Sequence, residues 1–215
     1  KVLSRISYAK NCLVTPGAYV ANSVYAAEDR QMQMPYFGDV YVEYCRRCKQ
    51  NGAMDFDDLI NKTVELLRNN EDVLQYYQRK FKYVLVDEYQ DTNHAQYLLT
   101  SLLAGGYNNL CVVGDDDQSI YRFRGATIEN ILNFEKQYRG ARTIRLEQNY
   151  RSTQSILNAA NAVIAHNLGR KGKRLWTANP SGEPITVYEA FDEGAEANFV
   201  AGQIISGSKG RNFKD

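Results

Sequence analysis

Several absences narrow the field before any motif is considered. The chain has four cysteines in 215 residues, Cys12, Cys45, Cys48 and Cys111, too few for a disulfide framework at this length. Cys45-Arg46-Arg47-Cys48 has the spacing of half a zinc site, but no second CxxC follows. The two histidines, His94 and His166, stand far from it in sequence, so two reduced thiols on a helix and a reducing, cytoplasmic compartment are expected. No apolar run approaches the length of a membrane span, and the first residues do not resemble a signal peptide. A net charge of +1 excludes attraction to nucleic acid or membrane by overall charge; any basic groove must come from local clustering. Repeats and low-complexity tracts are absent.

What remains is an ordinary globular composition, 44% hydrophobic and 24% charged, long enough for one sizeable core or one and a half domains. Residues 1–50 read as short amphipathic helices around Ile6–Cys12, Ala18–Arg30 and Val40–Lys49, with Thr15-Pro16 as a helix entry. Asp55 should cap a helix to about Arg68 with Phe56, Leu59, Ile60, Val64 and Leu67 inward, followed by a helix near Asp72–Lys80. Val84–Val86 reads as a strand of a parallel sheet, buried on both faces. Asn93 and Gln96 have capping-box spacing, and Ala95, Leu98, Leu99, Leu102 and Leu103 form one stripe. Leu110–Val113 is the second expected strand, Thr143–Leu146 the third and Ile185–Phe191 another. Helices are expected over about Thr127–Arg139, from Ser152 with Ile156, Leu157, Ala160, Val163 and Ile164 inward, and over Glu196–Ser206. This alternation argues for an α/β fold of βαβ units. The sixteen tyrosines, against one tryptophan, are expected mostly in cores or interfaces.

Three of these strands end in polar residues: Asp87-Glu88, Asp115–Gln118 and Asn149–Arg151. Groups at strand carboxyl ends sit where α/β sheets bind ligands. Adjacent acids there need a cation or polar partner, and hydrated magnesium carrying a nucleotide is the simplest. Phosphoryl transfer needs an acid for metal-bound water, a carboxylate base, a polar γ-phosphate sensor and a cation for developing charge. Asp87, Glu88, Gln118 and Arg151 fit those roles in that order.

DEYQDTN at 87–93, VVGDDDQSIYRFRGA at 112–126 and LEQNYRS at 146–152 together resemble motifs II, III and IV of the UvrD/Rep/PcrA superfamily-1 DNA helicases, and DFDDLI at 55–60 resembles a further family segment. The resemblance implies a RecA-like parallel sheet of the P-loop NTPase type with flanking helices, incomplete, plus a helical subdomain. It implies 1–52 as part of subdomain 1B, 53–148 as the later half of motor domain 1A, and 149–215 as the start of motor domain 2A. It also implies ATP and magnesium as cofactors, and single-stranded DNA and duplex junctions as partners. By position, Asp87 would coordinate magnesium through water and Glu88 would be the general base. Gln118 would contact the γ-phosphate and couple it to DNA, Tyr150 would stack on adenine, and Arg151 would act as an arginine finger. Tyr121 and Phe123 would stack on bases, with Arg124 ordering that loop or contacting the strand. Many relatives carry tryptophan at the Phe123 position; a phenyl face stacks less strongly.

No GxxxxGK[ST] loop, which would wrap the β- and γ-phosphates, occurs in residues 1–215. The family places it before everything seen here, so the expectation is an internal piece of a 3′→5′ helicase, inactive alone. Other readings stay open: a non-catalytic single-strand-binding module using the aromatic loop with Lys171, Lys173 and Arg174, or a metal-dependent nuclease or phosphatase using Asp87, Glu88 and Asp115–Asp117. Tyr121 and Phe123 could instead be buried at a domain interface, and Asp116 and Asp117 could be solvated loop acids. Unpaired sheet edges suggest altered packing of the first 50 residues or self-association.

Overall fold

The computed structural model describes residues 1–208. They fall into two compact units, one of Lys1–Ile144 with Asn167–Gly172, the other of Arg145–His166 with the described residues from Lys173 onward.

The first unit begins with four helices, α1 (Val2–Asn11), α2 (Pro16–Ala21), α3 (Ser23–Gln31) and α4 (Phe37–Gln50). Thr15 caps α2 through its side chain, with Pro16 in the first turn as expected. The single helix expected over Ala18–Arg30 is two. Asn22 leaves helical geometry, and its side-chain oxygen accepts from the Val24 N–H at 2.9 Å to start α3. Ile6, Ala9, Tyr19, Phe37 and Tyr41 form the local core. Tyr19 stacks on Tyr25 at 4.6 Å and meets Tyr41 edge-on at 5.8 Å, so several of the tyrosines are core residues. Buried Asp29 accepts from Arg5 Nε at 2.7 Å and from the Tyr19 hydroxyl at 2.9 Å.

Helix α5 (Phe56–Asn69) carries a reciprocal capping box between Asp55 and Asp58. Both acids also hold Lys10 of α1. Its ammonium is 3% exposed and lies 2.7 Å from each carboxylate. The Tyr44 hydroxyl donates to the same Asp55 oxygen at 2.9 Å. Thus the acids of DFDD clamp α1 onto α5. The inward face of α5 is Val64 and Leu67, whereas Phe56 and Leu59 are exposed, contrary to expectation. Helix α6 (Glu71–Lys80) then leads into β1 (Val84–Val86).

Strand β1 pairs in parallel with β2 (Leu110–Val112), in register Val84 with Leu110 and Val86 with Val112. Between them α7 (His94–Ala104) carries the Asn93–Gln96 capping box and packs against α5, α6 and β1. The two-face burial expected for β1 is not met, because Leu85 is 76% exposed. Helix α7 covers one face, and among the described residues nothing covers the other. The helix expected over Thr127–Arg139 is α8 (Glu129–Leu132) and α9 (Phe134–Gln137), broken at Asn133.

The second unit holds α10 (Gln154–Ile164) and α11 (Glu193–Ser208). Leu157 is buried, but Ile156 and Val163 of the expected inward stripe are exposed. Thr143–Leu146 and Ile185–Phe191, read as strands, are not strands; a single parallel bridge joins Gln148 to Trp176. Alternating apolar residues make a strand only within a hydrogen-bonded ladder, and these two segments are not assigned to one.

The Lys10 clamp has a definite pH signature. Burial alone would lower the Lys10 pKa, but its hydrogen bonds to Asp55 and Asp58 outweigh that and raise it. Burial would raise Asp55, yet Lys10, the Asp58 N–H and Tyr44 hold it below its ordinary value. The Asp55 contribution is therefore present above 3.8 and lost as pH falls through its lower folded value. That of Lys10 is present below 10.5 and lost only as pH rises through its higher folded value. Lys10→Met leaves two facing carboxylates, so it should cost about 3 kcal/mol at neutral pH. In denaturant unfolding across pH, the gap to wild type should narrow on acidification through the Asp55 range; a gap independent of pH would contradict the clamp.

Candidate functional site

In the first unit the strand ends are organised by one short segment, Glu88–Asn93. Asp87 and Glu88 stand exposed at the tip of β1. Glu88 adopts left-handed backbone geometry, φ 50° and ψ 42°. For a non-glycine residue this costs on the order of 1–2 kcal/mol and must be held by its surroundings. The Asp87 carboxylate accepts from the Glu88 N–H at 2.9 Å, and the Glu88 carbonyl accepts from the Asp91 N–H at 2.9 Å. The Tyr89 N–H donates across to the Val113 carbonyl at 2.9 Å. The Tyr89 ring is fully buried, edge-on to Phe134 at 5.8 Å. Burial, with the charge of Glu88 second, pushes the Asp91 carboxyl above its usual range.

Gln90 is 1% exposed. Its amide nitrogen donates to Glu88 Oε2 at 2.8 Å, and its amide oxygen accepts from the Asp115 N–H at 2.9 Å. The Asp115 carboxylate in turn accepts from Gln118 Nε2 at 2.7 Å and from the Asp117 N–H at 2.9 Å. Glu88 and Gln118, on different strand ends, thus belong to one hydrogen-bonded chain. Gly114 makes this possible, since a Cβ there would lie 2.6 Å from the Gln90 amide oxygen and 2.8 Å from Ile131 Cδ1.

The carboxylates of Asp115, Asp116 and Asp117 lie within 4.8 Å of one another. Protein donors meet them: Arg170 Nε binds Asp117 at 2.7 Å, and the Lys171 N–H donates to Asp116 at 2.7 Å. Asp116 and Asp117 are therefore not solvated loop acids; they dock the basic segment Asn167–Gly172 on this loop.

Beyond Gln118, residues Arg122–Arg124 form a 3-10 turn closed by Gly125 at φ +90°. The Arg124 guanidinium lies over the Tyr121 and Phe123 rings at 5.1 and 5.5 Å. Phe123 is 75% exposed, so the aromatics are not packed away in this unit. The loop is anchored from beneath. The Arg124 carbonyl accepts a long bond from Asn11 Nδ2 at 3.4 Å, and Gly125 sits against the Asn11 side chain. Asn11 Oδ1 accepts from Asn93 Nδ2 at 3.0 Å. The Thr92 carbonyl accepts from the Thr127 N–H at 3.0 Å and from Asn130 Nδ2 at 3.2 Å. Asn11, Thr92, Asn93 and Asn130 are all buried. Sequence reading missed Asn11 and Asn130, which carry no local signal. It also missed Gln90, whose only signal is a polar residue inside an otherwise tightly turned motif.

In the second unit the Asn149 side chain accepts from the N–H groups of Arg151 and Ser152 at 3.0 and 2.8 Å. Asn179 Nδ2 donates to the carbonyls of Tyr150 and Ser152 at 3.2 and 3.1 Å. Gly182, at φ +71°, lets its backbone close on Thr153, where a Cβ would come within 2.6 Å. This brace presents Tyr150, 78% exposed, and an exposed Arg151 on a fixed turn.

Comparison with known proteins matches these two regions to two models of one family. Residues 1–139 match the UvrD/REP helicase N-terminal domain and residues 144–215 the UvrD-like helicase C-terminal domain. The chain belongs to the UvrD/REP helicase family. The ATP-dependent DNA helicase PcrA of Staphylococcus aureus is 53% identical over 214 residues, 99% of this chain and 28% of that protein. PcrA of Staphylococcus epidermidis is 53% identical over 203 residues, 94% of this chain and 27% of its own length. The chain thus spans about 28% of the length of such UvrD/REP relatives. No helix among the described residues is long and apolar enough to cross a membrane.

The fit of Gly114 against Gln90 is testable without activity. Gly114→Ala should lower unfolding free energy by about 1–3 kcal/mol through overpacking. Gly17→Ala, with nothing within 4 Å of the added methyl, should leave it nearly unchanged. Equal midpoints for both variants would show that the slot tolerates a side chain.

Proposed function

We propose that this chain is the middle of an ATP-driven DNA motor, in which it supplies the base, the γ-phosphate sensor, the arginine finger and the base-stacking loop. What carries the reading is the hydrogen-bonded chain from Glu88 to Gln118, together with membership of the helicase family. The parallel strands β1 and β2 then form part of a RecA-like sheet. Residues 1–52 belong to the helical subdomain 1B, 53–148 to motor domain 1A and 149–215 to motor domain 2A. The whole protein acts on single-stranded DNA and duplex junctions, moving 3′→5′.

The donor set suits magnesium, a hard cation that keeps its waters and takes carboxylate oxygens. Asp87 is exposed beside Glu88 and offers such oxygens. Magnesium bound with ATP would supply charge neutralisation on the phosphates. Glu88 takes the proton of the attacking water. Gln118 hydrogen-bonds the γ-phosphate and, through the loop it opens, ties occupancy to Tyr121, Phe123 and Arg124. Tyr150 lies against the adenine, and Arg151 meets charge that develops on the γ-phosphate. Unstacked bases lie on Tyr121 and Phe123, and Arg124 holds the rings in place.

A second reading for the chain alone, a non-catalytic single-strand binder, is favoured by the exposed Phe123 and by the Arg124 guanidinium over both rings. One titration addresses both. The isolated chain, lacking the phosphate-wrapping loop, should not turn over ATP but should bind single-stranded DNA weakly and in a salt-sensitive way. Tyr121→Ala with Phe123→Ala should weaken single-strand binding by the whole protein roughly tenfold or more, from about 1–3 kcal/mol per lost stack. Unchanged binding by that double variant would exclude the stacking role. Turnover by the isolated chain that Glu88→Gln abolishes would refute its inactivity.

A further inference from the structure

We propose that Gln90 is a positioning residue for hydrolysis: one buried amide holds the Glu88 carboxylate at the tip of β1 and fixes it to the loop that carries Gln118. The proposal rests on the reading of Glu88 as general base.

The amide has one workable orientation. The Asp115 N–H can only donate, so the amide oxygen must face it; an ionised Glu88 can only accept, so the NH2 must face that side. Exchanging the two ends would bury an oxygen against an oxygen and a donor against a donor. Gly114 leaves the slot just open enough for the amide, and Ile131 of α8 closes its far side. Glu88 is otherwise an exposed side chain with several rotamers, on a backbone held in a left-handed conformation. A donor in a buried, fixed frame restricts that freedom at the atom that must accept a proton. The donor is also neutral.

The same amide reaches the second strand end. Its oxygen holds the Asp115 backbone, and the Asp115 carboxylate holds Gln118. A shift of Gln118 against a ligand is therefore two residues, Asp115 and Gln90, and three hydrogen bonds from the base. Glu88 from its own turn and Asp115 from the β2 loop bond Gln90, and Asp91 follows it in the same turn. Helix α8, packed on the turn, adds Ile131 and Asn130, while its Glu129 is exposed.

The test uses the full-length protein with Gln90→Met, which keeps the length and loses both bonds, and Gln90→Glu. DNA-stimulated ATP hydrolysis is followed across pH with the KM for ATP. Gln90→Met should lower kcat roughly 10- to 100-fold, the scale of a misplaced reacting group, while KM changes less than about threefold. Gln90→Glu mimics the amide only when protonated: its O–H then donates to Glu88 and its carbonyl accepts from Asp115. Ionised, it opposes Glu88. Its kcat relative to wild type should therefore fall as pH rises and recover toward acid, a profile that decides the matter even if Gln90→Met fails to fold. Wild-type kcat in both variants, or a Gln90→Glu loss that is flat with pH, would overturn the proposal. Glu88→Gln separates the two levels: hydrolysis surviving in it removes the general-base reading itself. An inactive Glu88→Gln beside a fully active Gln90→Met removes only the bridge.

Discussion

Two parallel strands of three residues each have a short ladder, so their ends are aligned by added ties: the Tyr89 N–H on the Val113 carbonyl and the buried Gln90 amide. Gln90 takes an acceptor from one strand end and a donor from the other, and its own buried amide would be costly to leave unpaired. Around that tie the chain spends its unusual geometry: a left-handed Glu88, a glycine at 114 that no other residue could replace without a clash, and a fully buried Tyr89. The side chains proposed to act, Asp87, Glu88 and Gln118, remain exposed.

A second polar network runs beneath the first. Asn11 on α1, Asn93 at the start of α7, Thr92 and Asn130 tie the aromatic turn to the residues directly after the Asp87–Asp91 turn. Helix α1 is itself fixed to α5 by Lys10 and the DFDD acids. The segment before the first strand is therefore structurally continuous with the aromatic loop. Both ties are hydrogen-bonded rather than apolar, and they add to the apolar core of this unit. Buried hydrogen bonds have strict geometry, and that strictness lets a short sheet hold several loops in register.

Local chemistry was readable in the sequence, and non-local pairing was not. The caps at Thr15, Asp55 and Asn93 follow from side chains that bond backbone a few residues away, and each is present. The strands expected at Thr143–Leu146 and Ile185–Phe191 needed neighbours to exist, and apolar alternation says nothing of whether a neighbour is there. Leu85 was expected inside on the strength of its neighbours, but burial on two faces takes two covering layers. Asn22 splits an expected helix because its side chain takes a nearby backbone N–H, and the second expected helix breaks at Asn133. For the site, the polar strand ends and the family motifs pointed to Glu88, Gln118 and Arg151. Their supports, Gln90, Asn11, Asn130 and Asn179, act from positions whose partners lie far off in sequence or on another turn.

The proposal at the centre of this account is that Glu88, Gln118 and Arg151 of the whole protein serve one triphosphate. A double-mutant cycle on single-turnover ATP hydrolysis by the full-length protein tests it most directly, using Glu88→Gln, Arg151→Ala and both together. Groups that serve one transition state are strongly non-additive, so the double variant should be little slower than the slower single. Losses that simply multiply would mean that the base and the guanidinium work at unrelated places, and the account would fail.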